Sequence, residues 1–162
     1  MSTRARWIEH VSSLLILFDL SVLAPGQNSA PAKPPVGIPG DAIHFKGKWY
    51  RVYKEKGGWK RAKERCVIAG GQLALVPDSA TQAFIKELAA ELPLWLGATD
   101  EKTEGVWLWT NGSRMIYDAW EPGQPNNALR ENYLLLARNG LWQDANEGEP
   151  SVFGFICEWN RK

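Results

Sequence analysis

The stretch WEPGQPNNALRENYLLLARNGLWQD, residues 120–144, decides how this chain is interpreted. Its side chains with amide or carboxylate oxygens include Gln124, Asn126, Glu131, Gln143 and Asp144. Such oxygens on loops suit Ca²⁺, which takes roughly six to eight oxygen ligands in adaptable geometry. Coordination positions that the protein leaves open can accept the hydroxyls of a sugar. The stretch therefore predicts a loop that binds calcium and a ligand.

Composition argues against several other classes of protein. Hydrophobic residues make up 44% and charged residues 23% of the 162 residues, which is typical of a globular domain rather than a disordered chain. The net charge is +1, and Lys and Arg are scattered without a basic stripe, so no nucleic-acid partner is expected. Nine tryptophans indicate an aromatic-rich core, with one or two available to line a site.

The N-terminal segment has the pattern of an export signal. Arg4 and Arg6 precede the apolar run at residues 11–24, and Ala30-Pro31-Ala32 fits a small-residue cleavage pattern. The run is short for a membrane span, and Asp19 interrupts it. We expect a cleaved signal peptide, with a membrane anchor as the alternative.

This pattern sets the expected domain organisation. Residues 1–32 are the predicted signal peptide, 33–40 a Pro-rich linker, and 41–162 one folded domain. The protein is expected to be secreted, or in the periplasm or at the cell surface if its source is bacterial. In an exported chain, Cys66 and Cys157 most simply form one disulfide; two free thiols would follow if the signal were false.

Periodicity within the domain predicts its first elements. Apolar residues flank a Lys-Gly-Lys turn, which predicts a hairpin over residues 43–53. Trp59, Ala62 and Cys66 follow at helical spacing, and the Gly70-Gly71 pair ends that predicted helix.

The remaining elements complete a predicted α+β fold. Asp78 or Ser79 is expected to cap a second helix, which Pro93 ends. Short strands and loops follow, and residues 113–132 form a long loop with little regular structure. A loop of that length in a small domain is usually functional or disordered.

Six segments taken together resemble the C-type lectin domain, in the order of that family and over residues 45–159. They are WKRAKERCVIAGGQLALV, LWLGATDEKTEGVWLWTNGS, WEPGQPNN, ENYLLL, GLWQD and FICEW. The resemblance implies two helices and short antiparallel sheets with a long loop for calcium and ligand. It also implies that Cys66 and Cys157 form the outer disulfide of the family. Tyr133 occupies the place of an inner cysteine, so the inner disulfide is absent.

The resemblance assigns roles to the oxygen-bearing residues. A principal calcium would be bound by Gln124, Asn126, Glu131, Gln143 and Asp144, and the first four would also bind the sugar. The bond before Pro125 would be cis. An auxiliary calcium would be bound by Asp100, Glu104 and Asn127, together with Glu131; a solvated acidic loop is the alternative for these residues.

Two departures from the family pattern weaken the principal site. The chain has Gln-Pro-Asn where mannose-type sites have Glu-Pro-Asn and galactose-type sites have Gln-Pro-Asp, and it has Gln143 where Asn is usual. The side chains then supply two carboxylates, Glu131 and Asp144, instead of three. Calcium affinity depends on ligand charge, so we expect weak binding and no defined sugar preference.

Two functions remain open from the sequence. The first is a secreted, calcium-dependent domain whose partner is a carbohydrate or glycoconjugate. The second is a calcium-independent module of the same fold that binds a protein or another surface. An enzyme is not expected: Glu131 and Asp144 could pair for glycoside cleavage, but nothing nearby indicates a raised pKa. The chain has two histidines and no zinc-ligand spacing.

Overall fold

The computed structural model describes residues 33–127 and 130–160, so the predicted signal peptide lies outside the described residues. The elements in chain order are β1 (Ile43–Phe45), β2 (Lys48–Tyr53), α1 (Trp59–Ile68), β3 (Gln72–Leu73), α2 (Ser79–Ala89), β4 (Leu94–Thr99), β5 (Leu108–Trp109), β6 (Tyr133–Leu136), β7 (Trp142–Ala145) and β8 (Gly154–Trp159). No helix in the described ranges is both long and apolar enough to cross a membrane.

The described strands form one mixed sheet rather than several antiparallel ones. Its main order is β1-β2-β8-β4-β6-β7, while β3 pairs with β8 and β5 pairs with β4. The predicted β1–β2 hairpin is confirmed, with Phe45 opposite Lys48. The pair β4–β8 is parallel and the other pairs are antiparallel. The last strand therefore lies in the middle of the sheet and connects its two halves.

Helix α1 packs its apolar face on the sheet, as the spacing predicts. Trp59, Ala62 and Cys66 are buried, and the Trp59 indole donates to the carbonyl of Leu96 at 2.7 Å. Cys66 forms a disulfide with Cys157 in β8, which confirms the expected pairing. The first helix is thereby fixed to the central strand.

Helix α2 begins as predicted but ends earlier. The Asp78 side chain accepts a hydrogen bond from the Thr81 amide at 2.8 Å, which caps the helix. The helix ends at Ala89, four residues before Pro93, so the prediction that Pro93 ends it is wrong. Ala90 adopts a left-handed conformation with φ of 47° and stops the helix, although alanine carries no sequence signal for that conformation.

The predicted linker contributes to the core. Residues 35–42 form two turns, in which the Ile38 and Ala42 amides donate to the carbonyls of Pro35 and Pro39. Ile38 is buried among the core side chains beneath the first helix. Ordered contacts therefore begin before residue 41.

An aromatic cluster beneath the long loop is centred on Trp142 of β7. Its indole is fully buried and donates to the Gln82 side chain at 2.9 Å. The rings of Trp109, Tyr117 and Trp120 meet it edge-on, with centroids 5.8 to 6.0 Å away. These contacts form a well-packed support for the long loop, since edge-to-face ring pairs add to the stabilisation from burial.

The carboxylate of Glu158 in β8 is buried and fully engaged. It accepts from the ammonium of Lys48 at 2.8 Å, the side-chain amide of Gln72 at 2.8 Å and the backbone amide of Leu75 at 3.1 Å. Burial raises the pKa of Tyr50, and the nearby charge of Glu158, which its hydroxyl also contacts, raises that pKa further. Four donors thus stabilise one negative charge in the middle of the sheet.

We predict that Glu158→Gln lowers the free energy of unfolding by about 2 to 3 kcal/mol. The neutral amide leaves the Lys48 ammonium without its partner and presents a donor to groups that are themselves donors. Urea unfolding at neutral pH measures the change. Glu64→Gln, on the exposed face of α1, is the matched control and should stay within about 0.5 kcal/mol of the parent. Equal stability of the two variants would contradict the prediction.

Candidate functional site

Asp144 holds the long loop between β5 and β6 against the sheet. Its carboxylate is buried in β7 and accepts from the backbone amides of Asn126 at 3.0 Å and Asn127 at 2.6 Å. The Gln124–Pro125 peptide bond just before them is cis, as the resemblance implies. One carboxylate therefore fixes the backbone that carries several of the predicted ligands.

These two hydrogen bonds do not exhaust the Asp144 carboxylate. Each of its oxygens accepts one backbone amide, and an ionised carboxylate offers about four lone-pair sites in total. A cation could use the remaining lone pairs without breaking either bond. The arrangement is thus compatible with both a structural and a metal-binding role for Asp144.

The acidic loop after β4 brings the predicted auxiliary residues together. Asp100 is buried, and its Oδ2 accepts the Gly105 amide at 2.9 Å. Partial desolvation raises the pKa of Glu104, and the adjacent Asp100 and the charge of Asp144 raise it further. The side chain of Asn127 hydrogen-bonds Glu104 and opposes this effect. The acidic loop therefore concentrates negative charge beside the point where Asp144 holds the long loop.

Two buried oxygens at the predicted ligand positions lack a hydrogen-bond partner. Within the described residues, four buried side-chain polar atoms are unpartnered, and two of them are Gln124 Oε1 and Asp100 Oδ1. Buried polar atoms are nearly always hydrogen-bonded, so an exception calls for an explanation such as a bound ion or water. One unpartnered oxygen belongs to the predicted principal set and the other to the auxiliary set.

Gln143 makes a contact that the sequence analysis missed. Its Nε2 donates to one carboxylate oxygen of Glu121, and Asn139 Nδ2 donates to the other. Glu121 follows Trp120 in the loop and has no place in the predicted ligand set. No periodicity or motif marks it, because the partners are 18 and 22 residues away. Donation through Nε2 leaves the Gln143 carbonyl oxygen as a further acceptor.

The other predicted ligands are less enclosed. Glu131 is half-buried next to the start of β6, and Asn126 is exposed. In residues 33–127 and 130–160, no three Asp, Glu, His or Cys side chains are arranged as a metal site. An ion in this loop would therefore need amide or backbone oxygens in addition to carboxylates, which Ca²⁺ accepts.

Tyr133, which the resemblance places where an inner cysteine would be, forms a polar connection. Its ring stacks on Trp59 at 4.9 Å, and its hydroxyl hydrogen-bonds Lys60 and Glu101. Burial raises the pKa of Tyr133, with a further increase from the Glu101 carboxylate. Lys60 also forms a 2.7 Å salt bridge with Glu101. These contacts connect α1 and β6 to the acidic loop.

The segment after β7 approaches the same helix closely. A Cβ atom at Gly58, the residue that precedes α1, would lie 2.6 Å from the carbonyl oxygen of Glu147. Glycine is thus required for this approach, and Lys60 contacts the Glu147 carboxylate at 3.7 Å. Packing and polar contacts therefore hold this segment against α1.

Comparison with known proteins agrees with this geometry. The family model for the lectin C-type domain matches residues 55–159. The chain belongs to the C-type lectin domain family. The resemblance inferred from the sequence and the α+β fold that it implied are therefore confirmed. Members of this family are generally binding modules without enzymatic activity.

Relatives of the lectin domain include short proteins and large receptors. A perlucin-like protein from Mytilus galloprovincialis is 30% identical over 155 residues, which cover 91% of this chain and 97% of that protein. C-type mannose receptor 2 from Homo sapiens is 32% identical over 115 residues, or 67% of this chain. The match spans only 8% of that receptor, so it concerns one part of a much longer protein.

Solved structures show the same fold. The carbohydrate-recognition domain of the mouse scavenger receptor C-type lectin matches with a TM-score of 0.72 and 30% identity, covering 78% of this chain and all of that one. A calcium-independent type II antifreeze protein matches with a TM-score of 0.67 and 26% identity, covering 78% of this chain and 93% of that one. The fold therefore occurs both in a carbohydrate-recognition domain and in an antifreeze protein described as calcium-independent.

We predict that Asp144→Asn releases the loop. An amide presents one oxygen and one NH₂ group to two backbone donors, so at least one charge-assisted bond is lost, at a cost of about 1.5 to 3 kcal/mol. Hydrogen exchange followed by NMR should show the Asn126 and Asn127 amides exchanging at least about tenfold faster. Asp118→Asn, an exposed change in the same loop, is the control. Unchanged exchange at both amides would show that Asp144 does not hold the loop.

We also predict that Tyr133→Phe costs about 1 kcal/mol, because it removes the hydroxyl but keeps the ring on Trp59. Denaturant unfolding measures the loss. A double-mutant cycle with Glu101→Gln should give a coupling energy of at least about 0.5 kcal/mol, since the two groups share one network. Strict additivity would refute the proposed connection.

Proposed function

We propose that this chain is a calcium-dependent carbohydrate-binding domain that is exported from the cell. The observation that supports this most directly is the pair of unpartnered oxygens, Gln124 Oε1 and Asp100 Oδ1. Leaving such an atom buried costs about 1 to 3 kcal/mol, and a bound cation would recover it. The donor set is entirely oxygen, which suits Ca²⁺ rather than a softer metal.

The proposed principal ion would be bound by side-chain oxygens from three parts of the chain. They are Gln124, Asn126, Glu131, Gln143 and Asp144. Calcium bound there would supply open coordination positions for two hydroxyls of a sugar ring. This chain's own residues would orient that ring through the amide N–H groups of Gln124 and Asn126.

The proposed auxiliary ion would occupy the acidic loop, with Asp100, Glu104 and Asn127 as ligands. Its main effect would be on charge. The mutual repulsion that raises the pKa of Glu104 would fall when a divalent cation neutralises the cluster. The same ion would draw the acidic loop and Asn127 together, which supports the principal position.

Two features limit the proposed affinity for calcium. Glu131 and Asp144 are the carboxylates of the principal set, and Asp144 is partly used by the loop backbone. The Gln143 side chain is also anchored to Glu121, so it must serve an ion from that position. We expect binding in the weak range typical of extracellular modules, about 0.1 to 1 mM.

The proposed export rests on the N-terminal segment and on the disulfide. Residues 1–32 would be the signal peptide, 33–40 the linker and 41–162 the mature domain. The Cys66–Cys157 bond is typical of proteins in oxidising compartments, which supports export.

The second candidate is a calcium-independent binding module of the same fold. It is favoured by the hydrogen bond that the Gln143 side-chain amide donates to Glu121, and by the structural similarity to a calcium-independent antifreeze protein. The partner would then be a protein or another surface. Dependence on calcium separates the two candidates.

The deciding experiment is a calcium titration read by tryptophan fluorescence. Trp142 lies beneath the long loop and Trp120 lies within it, so ordering of the loop should change their fluorescence emission. A saturable change with a midpoint of about 0.1 to 1 mM is expected. Glu131→Gln should abolish it by removing one of two carboxylates, whereas Glu64→Gln on α1 should leave it intact.

Binding to a glycan panel, with and without a chelator, then tests the ligand. Binding that needs calcium and disappears in Glu131→Gln supports the first candidate. No saturable fluorescence change up to several millimolar calcium would exclude it. Binding to a protein or surface that persists in chelator would then establish the second candidate.

A further inference from the structure

A cleft beside β6 and β7 borders the proposed principal ion position and shares Gln143 with it. It has a volume of about 330 Å³, near the lower end of small-molecule sites. Its apolar lining includes Pro93, Leu135 and Ala137, and its polar lining includes Glu121, Asn139 and Gln143. One side is therefore suited to C–H groups and the other to hydroxyls.

The polar side has unused hydrogen-bonding capacity. Glu121 accepts one amide N–H on each carboxylate oxygen, from Asn139 and Gln143. Each oxygen retains one lone pair, and each NH₂ group retains one hydrogen. Adjacent acceptors and donors of this kind match vicinal hydroxyls, since each hydroxyl both donates and accepts. Glu121 therefore provides a carboxylate acceptor for sugar hydroxyls, whereas Gln124 and Asn126 of the Gln-Pro-Asn sequence carry amides.

The side chains of Asn139, Glu121 and Gln143 form a hydrogen-bonded row, which neighbouring groups hold in place before any ligand binds. The backbone of Glu121 donates to the Trp142 carbonyl at 2.9 Å and accepts from the Gln124 amide at 2.9 Å. Asn139 Oδ1 accepts the Leu141 amide at 2.9 Å within a tight turn. Groups that are already ordered lose little entropy when a ligand binds.

The charges lining the cleft favour an uncharged ligand. Glu121 contributes one negative charge and Arg138 one positive charge. The Arg138 guanidinium lies 5.3 Å from the centre of the Phe153 ring, which fixes it at the rim. A ligand carboxylate or sulfate would be repelled by Glu121, and an apolar ligand would leave the polar row without partners.

We propose that this cleft binds a neutral saccharide ring without calcium, with two adjacent hydroxyls on the Asn139–Glu121–Gln143 row and the C–H face on the half-buried Ala137. This second site shares Gln143 with the proposed principal set, but it does not need a bound ion, because neither Glu131 nor Asp144 lines it.

The test uses the full domain in excess EDTA, with three probes at millimolar concentration. They are methyl α-mannopyranoside, methyl β-galactopyranoside and N-acetylglucosamine. NMR should show saturable shifts of the Asn139 and Gln143 side-chain amides with at least one probe. Glu121→Gln keeps the shape but replaces an acceptor by a donor, so it should weaken binding at least about tenfold.

Two controls separate this site from the calcium site. Glu64→Gln and Glu131→Gln should both bind as the parent does in EDTA. The proposal fails if none of the probes gives a saturable shift, if the shifts map to residues 124–127 instead, or if Glu131→Gln abolishes them. Unchanged binding by a folded Glu121→Gln variant would also overturn it. The wild-type shift map decides the question even if that variant does not fold.

Discussion

The buried carboxylate of Glu158 is the constraint on which the rest of the sheet depends. An isolated charge in that position would cost several kcal/mol, so the strand can only be central if donors surround it. Lys48, Tyr50 and Gln72 supply donors from β2 and β3, and the Leu75 amide supplies another. Satisfying this one group aligns three strands in a single register. The disulfide to α1 starts at Cys157, next to Glu158, so it positions the helix relative to the same strands.

The candidate site follows from that arrangement. Strand β4 pairs with β8 on one side and β6 on the other, and it leads directly into the acidic loop at Asp100. Strand β7 lies beyond β6 and presents Asp144 to the long loop. The acidic loop and the part of the long loop near Asn127 thus meet because the neighbouring strands β4, β6 and β7 place them at the same end of the sheet. The negative charge collected there is offset only partly by backbone amides.

Much of the fold could be predicted from the sequence because its signals are local. The helical spacing of Trp59, Ala62 and Cys66 and the cap at Asp78 depend on residues a few positions apart. The early end of α2 could not be predicted, since Ala90 adopts a left-handed conformation for tertiary reasons. The mixed sheet was also not foreseen, because the parallel pairing of β4 with β8 joins residues about sixty positions apart.

The site was predicted unevenly for the same reason. Asp100, Glu104 and Asn127 were expected together through the resemblance, and they do lie together. Their roles as calcium ligands remain predictions. Glu121 was missed because its importance arises from Asn139 and Gln143, which reach it across the sheet edge. The sequence contains the three residues but no pattern that connects them.

The resemblance places Tyr133 where an inner cysteine would be, so the core and the loops near the candidate site are held by different kinds of contact. The core is closed by a covalent bond, which only a reductant opens. The long loop is instead held by hydrogen bonds to Asp144, and the acidic loop by contacts of Glu101 with Tyr133 and Lys60. Such contacts break and re-form far faster than disulfides rearrange. The Lys60–Glu101 pair also weakens with ionic strength, since exposed ion pairs are screened. The salt sensitivity of the contacts that hold the loops is therefore set independently of the redox stability of the scaffold.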